Sequence, residues 1–174
     1  VRLTIYILVT KADLIAGFNE FFANLGKDGR DQVWGVTFSD IDNPDALKGL
    51  PPQLEALHER ISGQLIPRLQ EEPDLAKRGL IAAFDQQFGL ASRLLGAFLQ
   101  KVFASSGYDH PLMVRGVYFT SGTQEGNPID RVMASLGGAF GLERRVLPPP
   151  EGSGKSFFLT RLLKEVVFAE QRIG

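Results

Sequence analysis

Apolar residues run almost without a break from Leu3 to Val9, mostly β-branched or aromatic, the pattern of a strand buried on both faces in a parallel sheet. Leu14, Ile15, Phe18, Phe21, Phe22 and Leu25 then recur at helical spacing, and Gly26 stands where a left-handed residue would end that helix. A strand followed by a helix is the repeating unit of α/β folds. Trp34 to Phe38 has the length of a short strand, whereas Asp40 to Pro52, with prolines at 44, 51 and 52, reads as loop. Leu54, Leu57, Ile61, Leu65 and Leu69 mark a second helix that Gly63 weakens and that Pro67 kinks or ends. The short apolar run from Leu80 to Phe84 is expected to be a strand. Leu90, Leu94, Leu95, Phe98, Leu99, Val102 and Phe103 form the clearest amphipathic helix in the chain.

Met113 to Phe119 is a further strong strand, followed by a polar loop from Thr120 to Asn127. Pro128 then opens a helix with Ile129, Val132, Met133, Leu136 and Phe140 on one face. Leu147 to Gly154 holds prolines at 148, 149 and 150 and glycines at 152 and 154, so it can build neither helix nor central strand and is expected to be a linker. A last helix is predicted from Ser156 to about Glu170, apolar through Phe158, Leu159, Leu162, Leu163, Val166 and Val167. The expected organisation is an α/β domain over residues 1–147 with a helical insertion at about 40–78, a linker over 148–155, and a trailing helix over 156–174.

Composition narrows the chemistry. The 174 residues are 44% hydrophobic and 22% charged, which suits one globular domain. A formal charge of −1, with no block of Lys and Arg longer than two residues, argues against nucleic acid as a partner. The absence of Cys excludes disulfides and thiolate metal sites, and His58 and His110 alone leave little for zinc. His58, beside Glu59 and Arg60, is expected to be solvated, and His110 lies in a turn before Pro111; neither suits a catalytic base. The run from Leu3 to Val9 is far short of the ~20 residues a membrane-spanning helix needs. A chain that starts at Val1 and enters a strand at once is expected to be a piece excised from a longer protein.

Thr10-Lys11-Ala12-Asp13 follows the first strand, at the sheet edge where open α/β folds bind ligands. One carboxylate can accept both the N1–H and the 2-amino group of guanine, so Asp13 is suited to select guanine over adenine, and the stem of Lys11 can lie over the base. The segment resembles the [N/T]KxD base-reading element of guanine-nucleotide-binding P-loop proteins. Ser121 and Gly122, just after the strand ending at Phe119, could offer backbone N–H groups to the base oxygen. The bland alternatives are a cap at a helix start and an ordinary polar loop. The candidate ligand-binding residues are therefore Thr10, Lys11, Asp13, Ser121 and Gly122, with no catalytic or metal-binding residue assigned. Gly152-Ser153-Gly154-Lys155-Ser156 imitates a Walker A loop, but Pro149 holds the place of the first glycine and no strand precedes it.

From Leu112 to Arg131 the sequence closely resembles the cytoplasmic domain of the IcmF/TssM family, the large inner-membrane component of bacterial type VI secretion systems. Tyr6 to Leu14, Gly17 to Phe22, Gln32 to Gly35 and Gly154 to Leu163 resemble the same family in the same order. The resemblance implies a partial P-loop NTPase-like sheet whose Walker A lies upstream of Val1, in a protein anchored by transmembrane helices outside this chain, at the cytoplasmic face of the inner membrane. It implies a role in assembly with TssL-like and TssJ-like proteins. It implies no cofactor for this stretch itself; GTP or ATP with Mg²⁺ would belong to the full-length protein. Self-association is a further expectation. Asp85 departs from the family, which more often has Pro there, and this raises a question about a local turn. The competing expectations are the base-recognition half of a nucleotide-hydrolysing enzyme and a free-standing α/β protein that binds a small polar ligand.

Overall fold

The computed structural model describes residues 4–39, 46–103, 113–122 and 156–170. Three strands form the main sheet: β1 (Thr4–Val9), β2 (Gly35–Thr37) and β3 (Met113–Phe119), in the order β1-β3-β2. β1 pairs parallel with β3, from Thr4 opposite Met113 to Val9 opposite Phe119, with a register shift between Ile5 and Tyr6. β2 pairs antiparallel on the other side of β3, with Gly35 opposite Tyr118. The sheet is therefore mixed, where a parallel one was expected. A second, two-stranded ribbon joins β4 (Ser121–Gly122) to β5 (Ser156–Phe157) in antiparallel pairing.

Burial follows this order. β3 has a strand on each side, and Val114, Val117, Tyr118 and Phe119 on it are buried. β1 is half-exposed instead of buried on both faces, and its Leu8 is 37% exposed. Among the described residues nothing pairs with the far edge of β1, which is the physical reason for the difference.

The long crossover between β1 and β3 contains a helical hairpin, α3 (Leu50–Glu71) and α4 (Leu75–Val102). It is preceded by two short helices, α1 (Phe18–Phe21) and α2 (Lys27–Asp31). α3 starts inside the stretch expected to be loop. Pro51 and Pro52 fall in its first turn, where a missing N–H leaves no hydrogen bond unmade. Nor does Pro67 end the helix. The carbonyl that its ring crowds belongs to residue 63, a glycine, whose backbone is the freest to adjust.

Leu80 to Phe84, expected as a strand, lies within α4. Its start is fixed by Asp74, whose carboxylate accepts hydrogen bonds from the Ala76 and Lys77 amides at 2.8 and 3.3 Å. Ile81, Phe84, Phe88 and Ser92 then face inward at helical spacing. No turn occurs at Asp85. That residue sits mid-helix and accepts a hydrogen bond from Ser62 at 2.5 Å, while His58 Nε2 lies 3.0 Å from its carbonyl oxygen and 3.2 Å from its carboxylate. His58 is thus packed across the hairpin, its side chain only 16% exposed, rather than solvated. Its ring fills the space where a side chain at Gly89 would stand.

The single helix expected from Leu14 to Leu25 is broken in two places. A 3-10 turn spans Ala12–Leu14, and Gly17 then adopts a left-handed conformation with φ 81° before α1. A Cβ at Gly17 would collide with the Leu80 carbonyl of α4, so this glycine meets both a conformational and a contact requirement. Gly26 is not a left-handed C-cap. It is extended, with φ −63° and ψ 173°, and it opens α2.

An aromatic cluster unites these parts. Phe18 and Phe84 are fully buried, Trp34 stacks on Phe88 with centroids 4.9 Å apart, and Trp34 also meets Phe119 at 5.0 Å. Most pairs are tilted or edge-on, the arrangements the ring quadrupole favours. Phe157 and Phe158 join the same cluster, each 5% exposed, and Phe158 lies 5.1 Å from Phe22. The trailing segment is therefore not a helix from Ser156 onward. It enters as a strand and turns at Phe158, whose φ of 61° is left-handed. It then coils as a π-helix over Leu162–Val167, with Leu162 fully buried. The helix expected after Pro128, the proposed linker, Gly152 to Lys155 of the false Walker loop, and His110 lie outside the described residues. No helix among the described residues is long and apolar enough to cross a membrane.

Gly17→Ala is expected to lower unfolding stability by about 2 kcal/mol or more, since it combines a disfavoured φ with a backbone clash. Phe158→Ala is expected to cost about 3–5 kcal/mol, as for other buried aromatics. Urea titration followed by near-ultraviolet circular dichroism checks both. A Phe158→Ala protein as stable as the parent would mean that the trailing segment does not belong to this core.

Candidate functional site

The parallel register of β1 and β3 sets their C-terminal ends side by side, with Val9 opposite Phe119. Both candidate loops leave from this point. The Thr120 amide donates to the Val9 carbonyl at 2.9 Å, and the Ala12 amide donates to the Thr120 carbonyl at 3.0 Å, so the loops are stitched together through their backbones. A side-chain bond completes the junction: Ser121 Oγ donates to Asp13 Oδ1 at 2.5 Å. Thr120 and Ser121 are buried, Asp13 is half-buried, and Thr10, Lys11 and Gly122 are exposed. Residues separated in sequence by the entire helical hairpin thus form one cluster.

Ser121 occupies one acceptor site on the Asp13 carboxylate and fixes its orientation. A carboxylate has about four lone-pair sites, so others remain for an incoming ligand. Two adjacent N–H donors on one edge of a planar ring match that capacity, and charge-assisted bonds of this kind are among the stronger polar contacts.

Lys11 has φ 58° and ψ 39°, the left-handed region, which a non-glycine residue enters only with strain. Lys11 and Phe158 are the non-glycine residues with positive φ among those described. Such outliers concentrate at ligand clamps and switches, where surrounding structure holds them in place. Here the stitched loops supply that restraint, because the Lys11 carbonyl accepts from Leu14 and the next residue donates to Thr120.

The Ser121 and Gly122 amides are less free than the sequence suggests, since both residues pair with β5, Ser121 opposite Phe157 and Gly122 opposite Ser156. Successive pairs in an antiparallel ribbon alternate between hydrogen-bonded and non-bonded, so one of the two amides points away from the ribbon. Sequence reasoning missed the role of Ser156 and Phe157 in backing this loop. The available signal was the consecutive aromatic pair Phe157-Phe158, which a solvent-facing helix start does not need.

The sequence model of the IcmF-related N-terminal domain matches residues 1–174. The chain belongs to the IcmF-related N-terminal domain family. The Type VI secretion system component TssM1 of Pseudomonas aeruginosa is 43% identical to this IcmF-related domain over 174 residues, covering 98% of the chain. The chain spans 16% of that relative's length. No solved structure matches it. The family resemblance drawn from Leu112 to Arg131 and the flanking segments is thereby shown. The IcmF-related domain has mixed helix and sheet, and its Thr10–Asp13 and Thr120–Gly122 loops converge at one end of that sheet.

Ser121→Ala removes a hydrogen bond to a charged group and is expected to cost about 1.5–3 kcal/mol in stability. Lys11→Gly should do the opposite, raising stability by about 1 kcal/mol through relief of left-handed strain. Thermal melts of the two variants decide; a Lys11→Gly protein that melts well below the parent would show that the lysine backbone is not strained.

Proposed function

We propose that this domain is an assembly module of a type VI secretion membrane complex, and that its sheet end carries a guanine-reading loop pair of the kind found in P-loop nucleotide-binding domains. The observation that carries the second part is the hydrogen bond from Ser121 to Asp13, which orients the carboxylate across two neighbouring parallel strands. Asp13 would accept the N1–H and 2-amino groups of guanine, the outward amide of Ser121 or Gly122 would donate to the base oxygen, and the Lys11 stem would cover the ring. Adenine offers a donor and an acceptor in the opposite pattern and would leave the carboxylate facing a ring nitrogen.

The assembly part is supported by family membership and by the similarity to a type VI secretion component. In this proposal the domain works at the cytoplasmic face of the inner membrane with TssL-like and TssJ-like partners, and meets the membrane through segments outside this chain. Phosphate contacts usually carry much of nucleotide affinity, and here they would come from a Walker A loop outside residues 1–174. An intact G-x-x-x-x-G-K-[ST] upstream, together with measured turnover, would move the parent protein from scaffold to hydrolase.

The 174-residue chain alone is expected to bind GDP and GTP weakly and to hydrolyse neither; sub-micromolar binding in calorimetry would overturn this. In the full-length protein, Asp13→Asn is expected to weaken guanine nucleotides by about 1.5–3 kcal/mol while leaving adenine nucleotides nearly unchanged. Competition titrations with GTP and ATP check the difference. Equal affinities that the substitution leaves unmoved would make Thr10–Asp13 a structural loop only.

A further inference from the structure

The coil over residues 160–170 changes its winding twice. Thr160 and Arg161 open it as an α-helix, and the Leu163 amide donates to the Leu159 carbonyl at 3.0 Å. Over Leu162–Val167 the winding is π, and the Phe168 amide reaches back five residues to the Leu163 carbonyl. An α turn, Phe168–Glu170, follows. Single π turns inside α-helices are rare and occur frequently at functional sites. No proline or glycine lies between Leu159 and Glu170, so the usual helix breakers do not account for this one. The apolar spacing asks for α throughout, because Leu159, Leu162, Leu163 and Val166 would share one face of an unbroken helix. Sequence and winding therefore disagree at this turn.

The order of residues explains how one chain can serve both windings. Leu162 is fully buried and anchors the coil to the domain. In an α winding the residue that follows it on the same face is four positions on, Val166; in the π winding it is five positions on, Val167. Leu163 is followed in the same way by Val167 or by Phe168. Apolar residues are thus doubled at 162–163 and again at 166–167, with Lys164 and Glu165 exposed between the pairs. Either register sets a valine beyond the anchor, so side-chain packing selects between them only weakly. In the π winding Leu163, Val166 and Val167 are half-buried, and Phe168 is 53% exposed. Arg161 and Glu165 are spaced as an α-helical ion pair, yet here they stand 3.9 Å apart, longer than a charge-assisted hydrogen bond.

We propose that residues 160–170 are a two-state conformational device, exchanging between the π winding and an unbroken α-helix about the fixed Leu162. The exchange moves the register by one residue. It turns everything beyond the π turn by about 100° around the coil axis, the rotation of one α-helical position, and carries the exposed Phe168 to another side. Any contact that favours one winding over the other shifts the balance by the difference in affinity. The device stands on the winding and the doubled apolar pairs alone, and rests on neither the assembly role nor the base-reading loops.

Helix register shifts fall in the microsecond-to-millisecond range, which nitrogen-15 relaxation dispersion on the 174-residue chain reads directly. The amides of Leu163 to Phe168 are expected to exchange at one common rate with a minor winding populated at about 1–10%. Two point variants give the direction. Val167→Ser removes the valine of the π register and should raise the minor population severalfold; Val166→Ser removes the valine of the α register and should lower it until the dispersion flattens. Both valines are half-buried and one position apart, so a purely structural role would make the two substitutions act alike, loosening the coil and increasing exchange in both. Populations that change in the same direction in the two variants would therefore overturn the proposal, as would flat dispersion across Leu163 to Phe168 in both the parent and Val167→Ser.

Discussion

Parallel pairing of β1 with β3 is the constraint on which the rest of the domain depends. Two parallel strands cannot be joined by a hairpin turn, so the chain must travel away and return, and here the crossover carries α1, α2, β2 and the long hairpin of α3 and α4. The same pairing determines what meets at the far end. Because Val9 and Phe119 finish opposite each other, Asp13 and Ser121 come within hydrogen-bonding distance although the hairpin separates them in sequence. Fold and candidate site therefore share one cause, and a slip in the register of β3 would remove the site as well as bury the wrong side chains.

The aromatic cluster holds this arrangement from behind. Trp34 touches Phe88 of α4, Phe119 of β3 and Phe158 of the trailing segment, so one side chain links the hairpin, the sheet and the end of the chain. Phe157 is both a member of this cluster and the ladder partner of Ser121. The trailing segment thus backs the loop that would face a base, and it leaves the core through a strained residue, Phe158. Two residues of ladder and one left-handed turn connect that loop to the coil that follows.

Much of this was legible in the sequence. The apolar runs that became β1 and β3 stand out because both are rich in strand-forming residues, although β1 is half-exposed rather than buried on both faces. Small or polar residues mark where each run ends, but Ser121 and Gly122, expected as loop, pair as β4. What failed did so for identifiable reasons. Leu80 to Phe84 is too short to show a period, and only the Asp74 cap upstream tells helix from strand. Pro51 and Pro52 look like helix breakers until they are seen to occupy a first turn. Gly17 and Gly26 both mark a change of direction, but whether a glycine is left-handed or extended depends on what it packs against, and Leu80 of α4 is far away in sequence. The contacts from His58 and Ser62 to Asp85 are likewise tertiary, invisible until α3 and α4 lie together.

The meeting of the two loops as one base-selective site can be read directly in solution, at the millimolar affinities that a site without phosphate contacts would have. In a nitrogen-15-labelled sample, GDP should move the amide signals of Ala12, Asp13, Ser121 and Gly122 along one shared saturation curve, while ADP at the same concentrations leaves them in place. Signals that stay unmoved with GDP, or that shift equally with ADP, would contradict a guanine-reading junction at the ends of β1 and β3.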